Sequence, residues 1–190
     1  MKHLKIILLL LLVSFMLNGF WSGKSDKEII QDTKKEIQER LQTNNKTLRD
    51  LYKYSPEAKK ILLRSYGYAS FTNFGVNLIF ISAETGKGLA HNNKTGLTTY
   101  MNMASGGVGL GLGAKDFRII FLFKNKKVYE NFINNGWEAN ASAKYKEEGK
   151  AYNAAITIAP GIRMYKLTKN GLSLQATIHG TKYWKDGDLN

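Results

Sequence analysis

The period of apolar positions changes once along this chain, near Gly67. Before it, Ile30, Ile37, Leu41, Leu48 and Leu51 recur at spacings of seven, four, seven and three, which lays a narrow apolar seam along a largely polar helix over residues 25–52. Ser25-Asp26-Lys27-Glu28 opens that helix as a capping box, the Ser25 hydroxyl accepting from the third helical N–H while Glu28 reaches back to the cap. Lys34, Lys35, Arg40, Lys46 and Arg49 fall off the seam. The seam either docks the helix on the domain or lies on a membrane surface, and the lack of aromatics before Tyr52 favours docking. Ser55-Pro56-Glu57 opens a second helix, with Ser as cap and Pro at the first helical position, and Gly67 closes it.

After Gly67 the period is two. Leu97, Thr99, Met101 and Met103 alternate with Thr98, Tyr100 and Asn102, and residues 117–123 form an aromatic and β-branched run fit for a strand buried on both faces. Trp137, Ala139, Ala141, Ala143 and Tyr145 share one face of a further strand whose other face is polar. Asn170-Gly171 reads as a type I′ turn joining residues 162–167 with 172–179. One short helix, residues 128–135 with Gly136 as terminator, interrupts the strands. Helices first and strands after make the class α+β. The expected architecture is a six- to eight-stranded antiparallel sheet curled into a barrel or sandwich, with one inserted helix.

Ahead of this pattern lies a different one. Lys2 and Lys5 lead into a 12-residue apolar stretch, residues 6–17, followed by Asn18, Gly19, Phe20, Trp21, Ser22 and Gly23. This reads as an export signal, since a bilayer-spanning helix needs about 20 apolar residues. The flanks suit a cleavage enzyme poorly, so an uncleaved anchor is the alternative. The expected location is the periplasm or cell envelope, in association with a membrane.

Composition narrows the chemistry. An exported chain with no Cys has neither disulfides nor thiolate metal sites, so a packed core must carry the fold. The 167 residues after the leader suit one domain, and they hold 26 Lys and Arg against 15 acids, a net of +11. Such a field favours anionic partners, and an exported protein meets phospholipid headgroups and acidic polymers rather than nucleic acid. Outside the leader the histidines are His91 and His179, both read as surface residues, and no Gly-x-Ser-x-Gly elbow, phosphate loop or His-Glu-x-x-His pair is present. No enzyme activity, cofactor or metal is expected.

Two other patterns matter. In residues 106–114, Gly107, Gly109, Gly111 and Gly113 fall on one face when read with period two, and Val108, Leu110, Leu112 and Ala114 on the other. Four glycines in register imply a close approach to the backbone, by a helix of the same domain or by a ligand such as an acyl chain. Basic residues also cluster. Lys115 and Arg118 bracket an expected turn after the glycine strand, Lys124, Lys126 and Lys127 follow the next strand, and Lys182 and Lys185 flank Trp184. Lysine beside interfacial aromatics is what a headgroup-binding surface needs, while a solvated strand end and tail is the plain alternative.

Several of these elements together resemble the SYLF domain family. They are Ser65-Tyr66-Gly67-Tyr68-Ala69-Ser70-Phe71, the glycine run ending Gly111-Leu112-Gly113-Ala114, the strand Ile119-Ile120-Phe121-Leu122-Phe123, Gly136-Trp137-Glu138, Ala139-Asn140-Ala141-Ser142-Ala143, and Gly171-Leu172-Ser173-Leu174 leading to Gly180-Thr181. The segment after Phe71 is poorer in glycine, keeping only Gly75, Gly86 and Gly88 through residue 90, and His179 stands where an acid is usual. The resemblance implies lipid binding, and the leader places the chain with the bacterial, exported branch. It divides the chain into a signal at 1–23, a basic amphipathic helix at 24–53 and a SYLF-like lipid-binding domain at 54–190. The expected partner is an anionic phospholipid membrane, met by Lys34, Lys35, Arg40, Lys46, Arg49 and the later basic clusters. The alternative is an envelope scaffold that binds an acidic protein partner.

Overall fold

The change of period at Gly67 is the passage from helices to sheet. The computed structural model describes residues 24–78, 81–107, 113–139, 142–144, 155–173, 175–177 and 181–190. The leader, and with it the signal reading, lies outside them. By contacts the chain forms two compact units, Met1–Glu36 and Ile37–Asn190, so the division falls inside the first helix.

That helix, α1, runs Asp26–Tyr54. At its start the Ser25 N–H donates to Glu28 Oε2 at 2.8 Å and the Glu28 N–H reaches Ser25 Oγ at 3.4 Å, which is the expected capping box. Helix α2, Pro56–Arg64, has Ser55 at its cap and Pro at the first turn, although the Ser55 hydroxyl makes no capping bond and the helix closes at Ser65, with Gly67 already in strand.

The strands are β1 Gly67–Leu78, β2 Ile81–Asn92, β3 Thr98–Gly107, β4 Gly113–Phe123, then helix α3 Lys126–Asn135, β5 Trp137–Ala139, β6 Ser142–Lys144, β7 Ile156–Ala159, β8 Ile162–Thr168, β9 Gly171–Ser173, β10 Gln175–Thr177 and β11 Thr181–Lys185. Eight of them form one antiparallel sheet in the order β5-β11-β3-β2-β1-β4-β8-β7, with β9 beside β8, and β6 pairs β10 separately. Within Ile37–Asn190 this sheet curls as an open half-barrel, as the α+β reading expected.

The sheet is buried on both sides, and β4 shows why. Ile119, Phe121 and Phe123 point into one core with Phe71, Met101, Met103, Phe132 and Tyr183, while Ile120 and Leu122 point into another with Leu51, Leu62, Tyr68, Leu89 and Tyr165. Helix α3 covers the first core; α2 and the end of α1 cover the second. Close passage over glycine backbone occurs on β2: a Cβ on Gly88 would sit 2.5 Å from the Phe71 ring, and one on Gly86 2.7 Å from Met103.

Four expectations are corrected. The proposed glycine strand is two strands, since Gly107 ends β3 and Gly113 begins β4, which are separated in the sheet by β2 and β1; Gly109 and Gly111 lie outside the described residues. No turn separates Lys115 from Arg118, because both lie inside β4. The single strand expected after Trp137 is β5 and β6, which join different sheets, and the last hairpin likewise passes from β9 to β10. Its turn sits at Lys169-Asn170, with Thr168 opposite Gly171.

The fourth correction concerns α1. From residue 37 onward its buried positions are Arg40, Asn44, Thr47 and Leu51, a stripe at helical spacing that is mostly polar. Leu41 on the expected seam is 39% exposed and Ile30 53%. The cause is what lies beneath. Arg40 Nη1 donates to the carbonyls of Gly88 at 3.2 Å and Met101 at 2.8 Å, and its Nη2 to Asp186 at 2.5 Å and Asn102 at 3.1 Å. Asn44 donates to Tyr68 OH at 3.2 Å and accepts from Ser70 Oγ at 2.6 Å. A helix over these acceptors must bring donors, so its polar stripe faces inward.

Candidate functional site

One end of the sheet gathers cations around an apolar floor. Here β1 begins, β4 ends and β8 begins, with Gly67 opposite Phe123 and Phe123 opposite Ile162. Pro160-Gly161 turns β7 into β8, and Gly161 at φ 80° suits the third position of a type II turn. The Lys124 N–H donates to Gly161 O at 2.9 Å and the Tyr66 N–H to Phe123 O at 2.8 Å, which ties the strand ends to the exit of α2.

Between them lies an open groove of about 400 Å³. Ile61, Leu122 and Phe123 make its apolar walls, and Ser65 and Thr157 add hydroxyls. Arg64, Lys124 and Arg163 stand on its rim, all exposed. None of the three has an ion-pair partner among the described residues. Like charges so placed repel, which costs little in water but grows as water is excluded, and an arriving anion relieves it.

Helix α3 continues the basic rim. Asn125 caps it by accepting the Val128 N–H at 3.1 Å, yet the first turn holds Lys126 and Lys127 and no acid. Cations there oppose the helix dipole by about 0.3–1 kcal/mol each, relieved in part by Lys126–Glu130 at 3.5 Å. A local rule broken in this way marks a functional candidate.

The other expected lipid contacts are scattered. Lys34, Lys35 and Arg49 are exposed on α1. Arg40 is not available at all: it is buried and bonded as described above, a correction that follows from the polar surface beneath α1. Arg118 is also committed, its Nη1 meeting Asp50 at 2.5 Å, and Lys46 meets the same carboxylate at 2.9 Å. Hydrogen bonds from Arg118 and then Lys46 hold the Asp50 carboxyl below its usual range. Lys182 and Trp184 are exposed on β11, the indole by 37%, and Lys185 donates to Asn134 at 3.3 Å.

Of the groove cations, sequence reading had named only Lys124. Arg64 ends a nine-residue helix and Arg163 alternates outward along a strand, so neither sits in a basic run. The legible signal was Pro160-Gly161, a turn that brings β8 back beside Lys124.

Among the described residues no group of three or more His, Asp or Glu is placed to hold a metal ion. His91 is half-buried against the Tyr68 ring, with Nδ1 3.1 Å from Thr98 Oγ1, and burial lowers its pKa. Burial pushes Tyr129 up to about 12. No described helix is long and apolar enough to cross a membrane.

The chain has a homologue. Beta cell expansion factor A of Aeromonas veronii is 33% identical over 174 residues, which is 89% of this chain. The chain spans 66% of that protein's length, just under two thirds. No family model matches the chain.

Proposed function

We propose that this is a non-enzymatic, exported protein that attaches peripherally to anionic phospholipid surfaces, in the manner of the SYLF domain family its sequence resembles. The observation that carries this reading is the groove, where Arg64, Lys124 and Arg163 stand unpaired among the described residues over Ile61, Leu122 and Phe123. Guanidinium and ammonium groups meet headgroup phosphates, Arg by paired N–H donors and Lys as a point charge. The apolar walls take the part of the lipid that water rejects. The net +11 outside the leader speeds approach, each surface cation contributing about 1 kcal/mol near an anionic leaflet. Lys126 and Lys127 follow Lys124 closely in the chain and add two further cations.

The test is vesicle flotation of the purified protein with neutral and then increasingly anionic lipid, at low and high salt. Binding is expected to need anionic lipid and to weaken with salt, since a Debye length of about 8 Å at physiological ionic strength screens the field. Arg64→Glu, Lys124→Glu and Arg163→Glu together should abolish it without unfolding the protein, because all three side chains are exposed. Binding to no composition would replace this reading with the envelope-scaffold one, in which the same cations meet an acidic protein.

A further inference from the structure

A second cavity, of about 330 Å³, has a different chemistry. It lies where α1 beyond residue 37 passes over β1, β4 and the β8–β9 turn. Four threonines line it: Thr43 and Thr47 from α1, Thr72 from β1 and Thr168 from the end of β8. Thr168 is fixed, its hydroxyl donating to Gly171 O at 3.1 Å and accepting the Asn170 N–H at 3.2 Å. The hydroxyls of Thr43 and Thr72, neither of them buried, make no hydrogen bond to another described residue, so each has a donor and acceptors to offer.

Three cations, Lys46, Arg118 and Lys169, share the cavity with these hydroxyls. Asp50 Oδ2 accepts from both Lys46 and Arg118, which holds the two cations in place and leaves the cluster net positive. A guanidinium has five N–H donors in a planar fork, and Asp50 engages one nitrogen of Arg118, so the rest of the fork remains for a second carboxylate or a phosphate. Leu167 supplies a buried apolar wall. The volume is at the small end for ligand sites, enough for one ring.

We infer that this cavity holds a single acidic sugar residue, a hydroxylated ring bearing one carboxylate or phosphate. Thr43 and Thr72 pair with ring hydroxyls, Arg118 and Lys169 meet the anion, and the buried Thr47 and Leu167 close the cavity beneath. The site is separate from the groove and does not depend on lipid binding.

The experiment is calorimetric titration of the whole protein with glucuronate, glucose 6-phosphate, glucose and inorganic phosphate. At least one acidic sugar should bind with a Kd of about 1 mM or tighter, with glucose and inorganic phosphate each at least about tenfold weaker. Which acidic sugar binds tells the carboxylate source from the phosphate source. Lys169→Glu, on an exposed turn, should weaken binding about tenfold and Thr43→Val less, with thermal melting unchanged. Vesicle flotation should survive Lys169→Glu, and sugar binding should survive the groove triple variant. Binding of neither acidic sugar, inorganic phosphate binding as well as the sugars, or no effect of Lys169→Glu would each overturn the inference.

Discussion

The two faces of the sheet are stabilised by different physics. On the α3 side Phe71, Phe121, Phe123, Phe132, Trp137 and Tyr183 pack ring against ring, with centroids from 4.8 to 6.3 Å apart, mostly tilted or edge-on. On the α1 side the helix is held by the buried Arg40 guanidinium and Asn44 amide, placed against strand carbonyls, Asp186 and Tyr68. Apolar packing is forgiving of direction and depends on volume. Buried polar contacts depend on partner and angle, so they specify where the helix sits more than they stabilise it.

The largest effect should come from the aromatic face. Phe121 is fully buried and touches Phe71, Phe132, Trp137 and Tyr183, so Phe121→Ala should cost about 3–5 kcal/mol in urea unfolding. A cost under about 1 kcal/mol would mean that this core relaxes around the gap.

The polar face should behave otherwise. Arg40→Met leaves Asp186 buried without its cation and should cost about 3 kcal/mol, but adding Asp186→Leu should recover most of that loss. If the double variant stayed as unstable as the single one, the pair would be a net source of stability and the contrast between the faces would fail.

Acid should separate the two faces with the smallest effect. Burial alone would raise the Asp186 carboxyl, but the Asp188 N–H, Arg40 and Asn102 outweigh it and hold it below its usual range, and Asp50 is lowered as well. A group whose folded pKa is depressed contributes stability that is present above the unfolded value, about 3.9, and is lost as pH falls through the folded one. Hydrogen exchange at α1 amides beyond residue 37 should therefore accelerate below about pH 4 before that at α3. Equal acceleration would show that acid acts on the whole sheet.

The same contrast explains what could be read in advance. The aromatic face was legible because residues 119–123 alternate between two cores and that run is apolar throughout. The α1 face was not, because Arg40, Asn44 and Thr47 read as solvent positions on any hydropathy scale. The acceptors of Arg40 and Asn44 lie 24 to 146 residues away in the chain, from Tyr68 to Asp186. Of the candidate site, Lys124 with Lys126 and Lys127 was visible as a run; Arg64 and Arg163 were single cations on separate elements.

By itself, then, the sequence determined the class, the capping box at Ser25, the doubly buried strand β4, the stop of α3 at Gly136, and a basic chain without cysteine chemistry. Those are local patterns, set by backbone periods and by composition. Tertiary structure alone decided which side of α1 turns inward, which cations stand unpaired beside an apolar wall, and that Arg118 and Lys46 share Asp50 beside a cluster of threonines. Partnership between distant polar groups depends on the register of the sheet, and no window along the chain contains it.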